Sequence, residues 1–205
     1  ILDPKLLWTA QRREYHCSHG TVIVNCASVT STIQSLFDLS GRVAIVTGGS
    51  RGLGAEFAEG LAEAGASLML CARRDEWLLP EVDRLRGRGF NVEGLQCDVA
   101  RPQDVQAVVD ATVKQFGAVD ILVNNAGVSW GEPPESMALD QWRKVVDVNL
   151  TGAFICSQAA GREMLRRGSG CIVNIASIAG LQGNVHGPYY AAYAASKAGL
   201  MGLTR

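Results

Sequence analysis

From Gly41 to Arg205, short aliphatic runs alternate with longer segments of helical period, and that alternation constrains the fold more than any other feature. Val43–Val46, Leu68–Ala72, Asn91–Gln96, Ile121–Val123 and Cys171–Ile175 read as strands. Ala55–Ala64, Trp77–Arg86, Gln103–Phe116, Leu139–Arg167 and Tyr190–Thr204 read as helices, with Gly65, Gly87 and Gly89 as stops. Strands joined through helices pair in parallel by right-handed crossovers, which covers both faces of the sheet. The near-continuous apolar runs fit burial on both sides. The expectation is an α/β fold, a doubly wound parallel sheet with helices on both faces. Such sheets bind ligands at the carboxyl ends of their strands.

Composition narrows the function. A net charge of −1 argues against a nucleic-acid surface, and no apolar stretch reaches membrane-spanning length. Cys17, Cys26, Cys71, Cys97, Cys156 and Cys171 contain no CxxC pair, which points to a reduced, cytoplasmic setting. His16, Cys17, His19 and Cys26 lack the spacing of a structural zinc site, so no metal is expected. Residues 1–35 form a separate extension before a domain spanning 36–205. They carry Lys5, Arg12 and Arg13 and then a Ser/Thr-rich stretch without acids. That pattern is shared by transit peptides and by disordered or misassigned upstream segments, and the second reading is preferred to organellar import.

Two local patterns carry chemistry. Gly48, Gly52 and Gly54 punctuate the segment TGGSRGLG (Thr47 to Gly54) between a strand and a helix. Glycines there permit a tight turn and let backbone N–H groups approach a pyrophosphate at a helix N-terminus. Tyr193 and Lys197 stand four residues apart in YAASK, on one face of an alanine-rich helix. A cation beside a phenol favours the ionised form. Such a pair can give a proton to a carbonyl oxygen or take one from an alcohol. Each pattern alone has an ordinary alternative, a ligand-free glycine turn or a solvated helix face.

Together with NNAG (Asn124 to Gly127), Asn149 in DVNL and Ser177 in IAS, these segments resemble the short-chain dehydrogenase/reductase family over residues 41–205. The resemblance implies a Rossmann-type oxidoreductase that moves hydride between a nicotinamide cofactor and a ketone/secondary-alcohol pair. It implies Tyr193 as general acid/base, Lys197 as its electrostatic partner and ribose ligand, Ser177 as donor to the substrate oxygen, and Asn149 as anchor of a proton-relay water. It implies cofactor contacts from Gly48, Ser50, Arg51, Gly52, Leu53 and Gly54, from Arg73, Asp98 and Val99, and from Asn125, Ala126 and Gly127, together with Tyr193 and Lys197. It further implies a homo-oligomer, dimer or tetramer, and a sheet whose last strands lie beyond Arg205. A sugar-nucleotide epimerase or dehydratase shares the Tyr-Lys pair but fits the glycine spacing less well. A truncated, non-catalytic dinucleotide-binding protein is the alternative from another class.

Charge argues the cofactor. The second strand runs into CARRD, with Ala72 where NAD-preferring relatives carry an acid, Arg73 next to it, and Arg51 in the glycine loop. Two cations and no carboxylate favour NADP(H) over NAD(H). Arg74 and Asp75 read as solvated or paired with each other, and Asp98 as an adenine contact or a cap. The segment from Ser177 to Pro188, with the opening SLFDLSGRV, is similar to gluconate 5-dehydrogenase-like members, which implies a keto-sugar acid as substrate. The 3-oxoacyl-carrier-protein reductases share most of the same motifs. His186 reads as an exposed loop residue or a substrate contact.

Overall fold

The computed structural model describes residues 13–17, 20–24, 33–182 and 190–205. His186 and most of residues 1–35 lie outside them. The chain divides into two units, residues 1–38 and 39–205. In the first, strands β1 (Arg13–Cys17) and β2 (Gly20–Val24) pair antiparallel, and Ile33–Leu36 forms the short helix α1. The sequence reading placed no element there.

The second unit is a five-stranded parallel sheet in the order β5-β4-β3-β6-β7. In chain order it runs β3 (Val43–Thr47), α2 (Leu53–Glu63), β4 (Ser67–Ala72), α3 (Asp75–Gly87), β5 (Val92–Gln96) and α4 (Pro102–Phe116). It continues with β6 (Ile121–Asn124), α5 (Leu139–Val146), a π-helical turn Asp147–Thr151 and α6 (Gly152–Arg167). It then runs through β7 (Cys171–Asn174) and α7 (Ala179–Gln182) to α8 (Ala191–Thr204). All five residues of β3 are buried, as its central place demands. Successive side chains face opposite ways. Ala44 and Val46 pack with Leu68, Leu70, Leu78 and Val82 under α2 and α3, while Ile45 packs with Met69, Leu122, Val109 and Ala160 under α4 and α6.

Three expectations need correction. The segment 139–167 is not one α-helix, because five residues around Asn149 take the wider π turn. A single inserted residue leaves the apolar period on either side almost unchanged, so the pattern conceals it. Helix α3 begins at Asp75 rather than Trp77, and Arg74 pairs with Glu76 at 3.3 Å, not with Asp75.

Asp120, buried at the start of β6, accepts a hydrogen bond from the Val43 N–H at 3.0 Å. Arg42 and Arg167 stand 3.5 and 3.7 Å from its Oδ1. It therefore ties the bottom of β3 to β6 and to the end of α6. Asp120→Ala leaves a buried N–H without a partner, and we expect it to lower unfolding free energy by about 2–3 kcal/mol in a denaturant melt.

Candidate active site

The strand order reverses between β3 and β6, which opens a crevice at their carboxyl ends. Thr47, the last residue of β3, binds the loops on either side of it. Its Oγ1 accepts from the Asn125 and Ala126 N–H groups, both at 3.0 Å, and donates to Val123 O at 3.2 Å. The Asn125 Nδ2 donates to Thr47 O at 3.0 Å and Gly48 O at 3.2 Å. The two loops thus meet closely enough to require glycine. A Cβ on Gly48, whose φ is +65°, would lie 3.0 Å from Ala126 Cα. A Cβ on Gly54 would overlap Gly48 O and stand 2.5 Å from Asn125 Nδ2.

A cavity of about 350 Å³ lies above these loops. Of the residues expected to contact a cofactor, Gly48, Ser50, Arg51, Leu53, Gly54, Arg73, Asp98, Val99, Asn125, Ala126 and Gly127 line it. Gly52, the exposed N-cap of α2 with φ +56°, is not among the lining residues. No side chain caps α2, and while Ala55 and Glu56 donate to Gly52 O, the Leu53 and Gly54 N–H groups face an anion site. Arg51 and Arg73 have no carboxylate partner among the described residues. Uncapped helix, glycine cradle and free cations together fit a phosphorylated dinucleotide. Asp98 does not cap α4, whose N-cap is Arg101; its Oδ1 accepts from the Ala100 N–H at 3.1 Å in the turn before that helix. Asn124 stays out of the cavity and braces β6 to α6 and β7, donating to Ser157 Oγ at 2.9 Å and Asn174 Oδ1 at 2.8 Å.

A second cavity shares Leu53, Asn125, Gly127 and Val128 with the first and is closed by Ile175, Ala176, Tyr190, Tyr193 and Lys197. Lys197 Nζ donates to Ile175 O at 2.6 Å and lies 5.7 Å from the Tyr193 ring centroid. Asn149, 1% exposed, donates through Nδ2 to Val128 O at 2.9 Å and Ser196 Oγ at 3.1 Å. Its Oδ1 accepts from the Val128 N–H at 2.8 Å. Ser196 in turn donates to Tyr193 O at 2.7 Å, so the π turn fixes both the cavity wall and the backbone of α8. Ser177 is not brought into the cavity wall. It stands just past Ile175 and Ala176, and its Oγ accepts from the Ala179 N–H at 3.2 Å at the start of α7. Tyr190 and Thr47 escaped the sequence reading. Tyr190 meets Tyr193 edge-to-face at 6.5 Å, a contact that the three-residue spacing signals.

Lys197 is only 4% exposed and has no carboxylate partner among the described residues. Burial lowers its pKa from the ordinary lysine value. Its folded-state pKa therefore lies below the unfolded one, and the charged form destabilises the fold at every pH below that lowered value. The penalty fades as pH rises toward the ordinary lysine range. Lys197→Met is accordingly expected to melt no lower than wild type at neutral pH, with a difference that closes as the solution becomes alkaline. A lower melting temperature for the variant at neutral pH would show that the Ile175 hydrogen bond outweighs desolvation.

None of the helices among the described residues is long and apolar enough to cross a membrane, and no metal-ligating cluster occurs among those residues. The family model for short chain dehydrogenases matches residues 42–205. The chain is 39% identical over 168 residues to the 3-oxoacyl-[acyl-carrier-protein] reductase of Vibrio cholerae, covering 82% of this chain and 66% of that one. It is 40% identical over 163 residues to the reductase of the same name from Staphylococcus aureus, covering 79% and 65%. Among solved structures, a short-chain type dehydrogenase/reductase from Mycobacterium marinum superposes with a TM-score of 0.82 at 35% identity, covering 85% of this chain and 70% of that one. A variant of actinorhodin polyketide ketoreductase crystallised with NADPH gives 0.76 at 42% identity, covering 80% and 62%. The chain spans 60–66% of the length of the first curated relatives it matches. With its glycine cradle, its Tyr193–Lys197 pair and a family match over four fifths of its length, this chain belongs to the short chain dehydrogenase family.

Proposed function

We propose that the protein is an NADP(H)-dependent oxidoreductase that interconverts a ketone and a secondary alcohol, with Tyr193 as general acid/base. The observation that carries this is the wall common to both cavities. Leu53, Asn125, Gly127 and Val128 make one cleft that runs from Arg73 to Tyr193. The glycine loop, the α2 N-terminus, Arg51 and Arg73 would hold the phosphates, and Lys197 the ribose nearest Tyr193. When bound, NADPH supplies the hydride that reduces the carbonyl carbon. Tyr193 gives its phenolic proton to the carbonyl oxygen in reduction and takes the alcohol proton in oxidation. Lys197, oriented by Ile175 O, stabilises negative charge on the phenol oxygen as that proton leaves. Ser177 stands outside the cavity wall, just past Ile175 and Ala176, and would have to turn from the Ala179 N–H toward the cleft to donate to the substrate oxygen. Asn149 positions Val128 and α8, and anchors the water through which Tyr193 regains a proton.

Two ketone classes fit. A keto-sugar acid follows from the gluconate 5-dehydrogenase-like segment after Ser177, and a 3-oxoacyl thioester from the names of the relatives. The test is NADPH consumption by the full-length protein with a panel of both. Turnover of members of one class fixes the substrate. Failure to oxidise NADPH with any ketone in the panel overturns the reading.

A further inference from the structure

Arg74 and Trp77 line the first cavity, yet neither belongs to the cofactor set read from the sequence. The Arg51 guanidinium carbon stands 3.8 Å from the centroid of the Trp77 ring, and that of Arg74 stands 4.8 Å from it. Arg51 comes from the glycine loop after β3 and Arg74 from the end of the β4 connection, whereas half-buried Trp77 sits in the first turn of α3. One aromatic ring therefore gathers two long cationic side chains from separate segments beside a third, Arg73. Three cations converging on one cavity repel one another, and the electron-rich ring face offsets part of that repulsion. The only carboxylate paired with the three among the described residues is that of Glu76, on Arg74, and that pair is exposed. Exposed ion pairs exchange readily for a better anion.

We propose that Trp77 is a positioning residue that holds Arg51 and Arg74 at the cavity mouth, and that Arg74 joins Arg51 and Arg73 in receiving the ribose 2′-phosphate of NADP(H). This rests on the NADP(H) reading above and adds to it a third cation and the residue that organises the set. A guanidinium held over a ring has lost its rotamer freedom before the ligand arrives, so less affinity is spent on ordering it. The ring cannot itself distinguish a phosphorylated ribose from a free one. Its effect on that distinction must pass through the arginines.

The test uses 2′,5′-ADP and 5′-AMP, cofactor fragments that differ by the phosphate in question, with binding to the full-length protein measured by calorimetry. Wild type should prefer 2′,5′-ADP. Trp77→Ala should lose about tenfold of that preference, the sum of two modest cation–π contacts. Trp77→Phe, which keeps a ring face, should recover most of it. Arg74→Gln should weaken 2′,5′-ADP severalfold and leave 5′-AMP unchanged. If Trp77→Ala weakens both fragments equally, Trp77 only packs on the adenine side and the inference fails. It fails also if Arg74→Gln leaves 2′,5′-ADP binding unaltered. A wild type that does not prefer 2′,5′-ADP would instead overturn the NADP(H) reading itself.

Discussion

Tyr193→Phe is expected to lower ketone reduction by about 10²–10⁴-fold, the usual range for losing a positioned general acid, while NADPH binds nearly as before. The ring stays in place in this variant, so its edge contact with Tyr190 and its place near Lys197 survive. Only the hydroxyl goes. The cofactor cavity is walled by the glycine loop, the β4 and β5 ends and the NNAG turn, none of which depends on that hydroxyl. The loss should therefore appear in kcat with little change in the NADPH dissociation constant. Turnover close to wild type would remove Tyr193 from the chemistry.

Gly54→Ala should abolish tight cofactor binding, with at least a hundredfold loss in NADPH affinity (about 2.8 kcal/mol), and should lower stability by about 1–3 kcal/mol. The added methyl has no flexible neighbour to displace. It meets the backbone carbonyl of Gly48 and the amide of Asn125, which already holds Thr47 and Gly48. The loop must move, and the moved loop no longer presents the α2 N-terminus to the pyrophosphate. Gly60 in the same helix is the control, since a Cβ there meets nothing within 4 Å. Gly60→Ala should stabilise the helix by about 0.5–1 kcal/mol and leave binding alone. Equal behaviour of the two variants would contradict the close approach of the loops.

The sheet was legible because its central strands β3, β4 and β6 are buried on both faces and leave uninterrupted apolar runs, whereas the edge strands β5 and β7 are partly exposed. Val43–Val46 and Leu68–Ala72 could hardly be anything else between glycine stops. The cofactor cavity was legible because glycines and arginines fall just after those runs. The π turn was hidden, since one extra residue hardly disturbs a helical period, and with it the reason Asn149 is held between Val128 and Ser196. Thr47 was hidden because a hydroxyl that binds two loops looks like any strand-ending threonine. Trp77 read as the start of an amphipathic helix. Its role needs the fold, which alone brings Arg51 from one loop and Arg74 from another onto the same ring.

One cleft should hold the cofactor with its reacting end at Tyr193. A crystal structure of the full-length protein with NADP+ tests it most directly. The 2′-phosphate should lie among Arg51, Arg73 and Arg74, the pyrophosphate on the Gly48–Gly54 loop, and the nicotinamide beside Tyr193 and Lys197. A nicotinamide at the Arg73 end, or a cofactor bound outside the cleft, would contradict it.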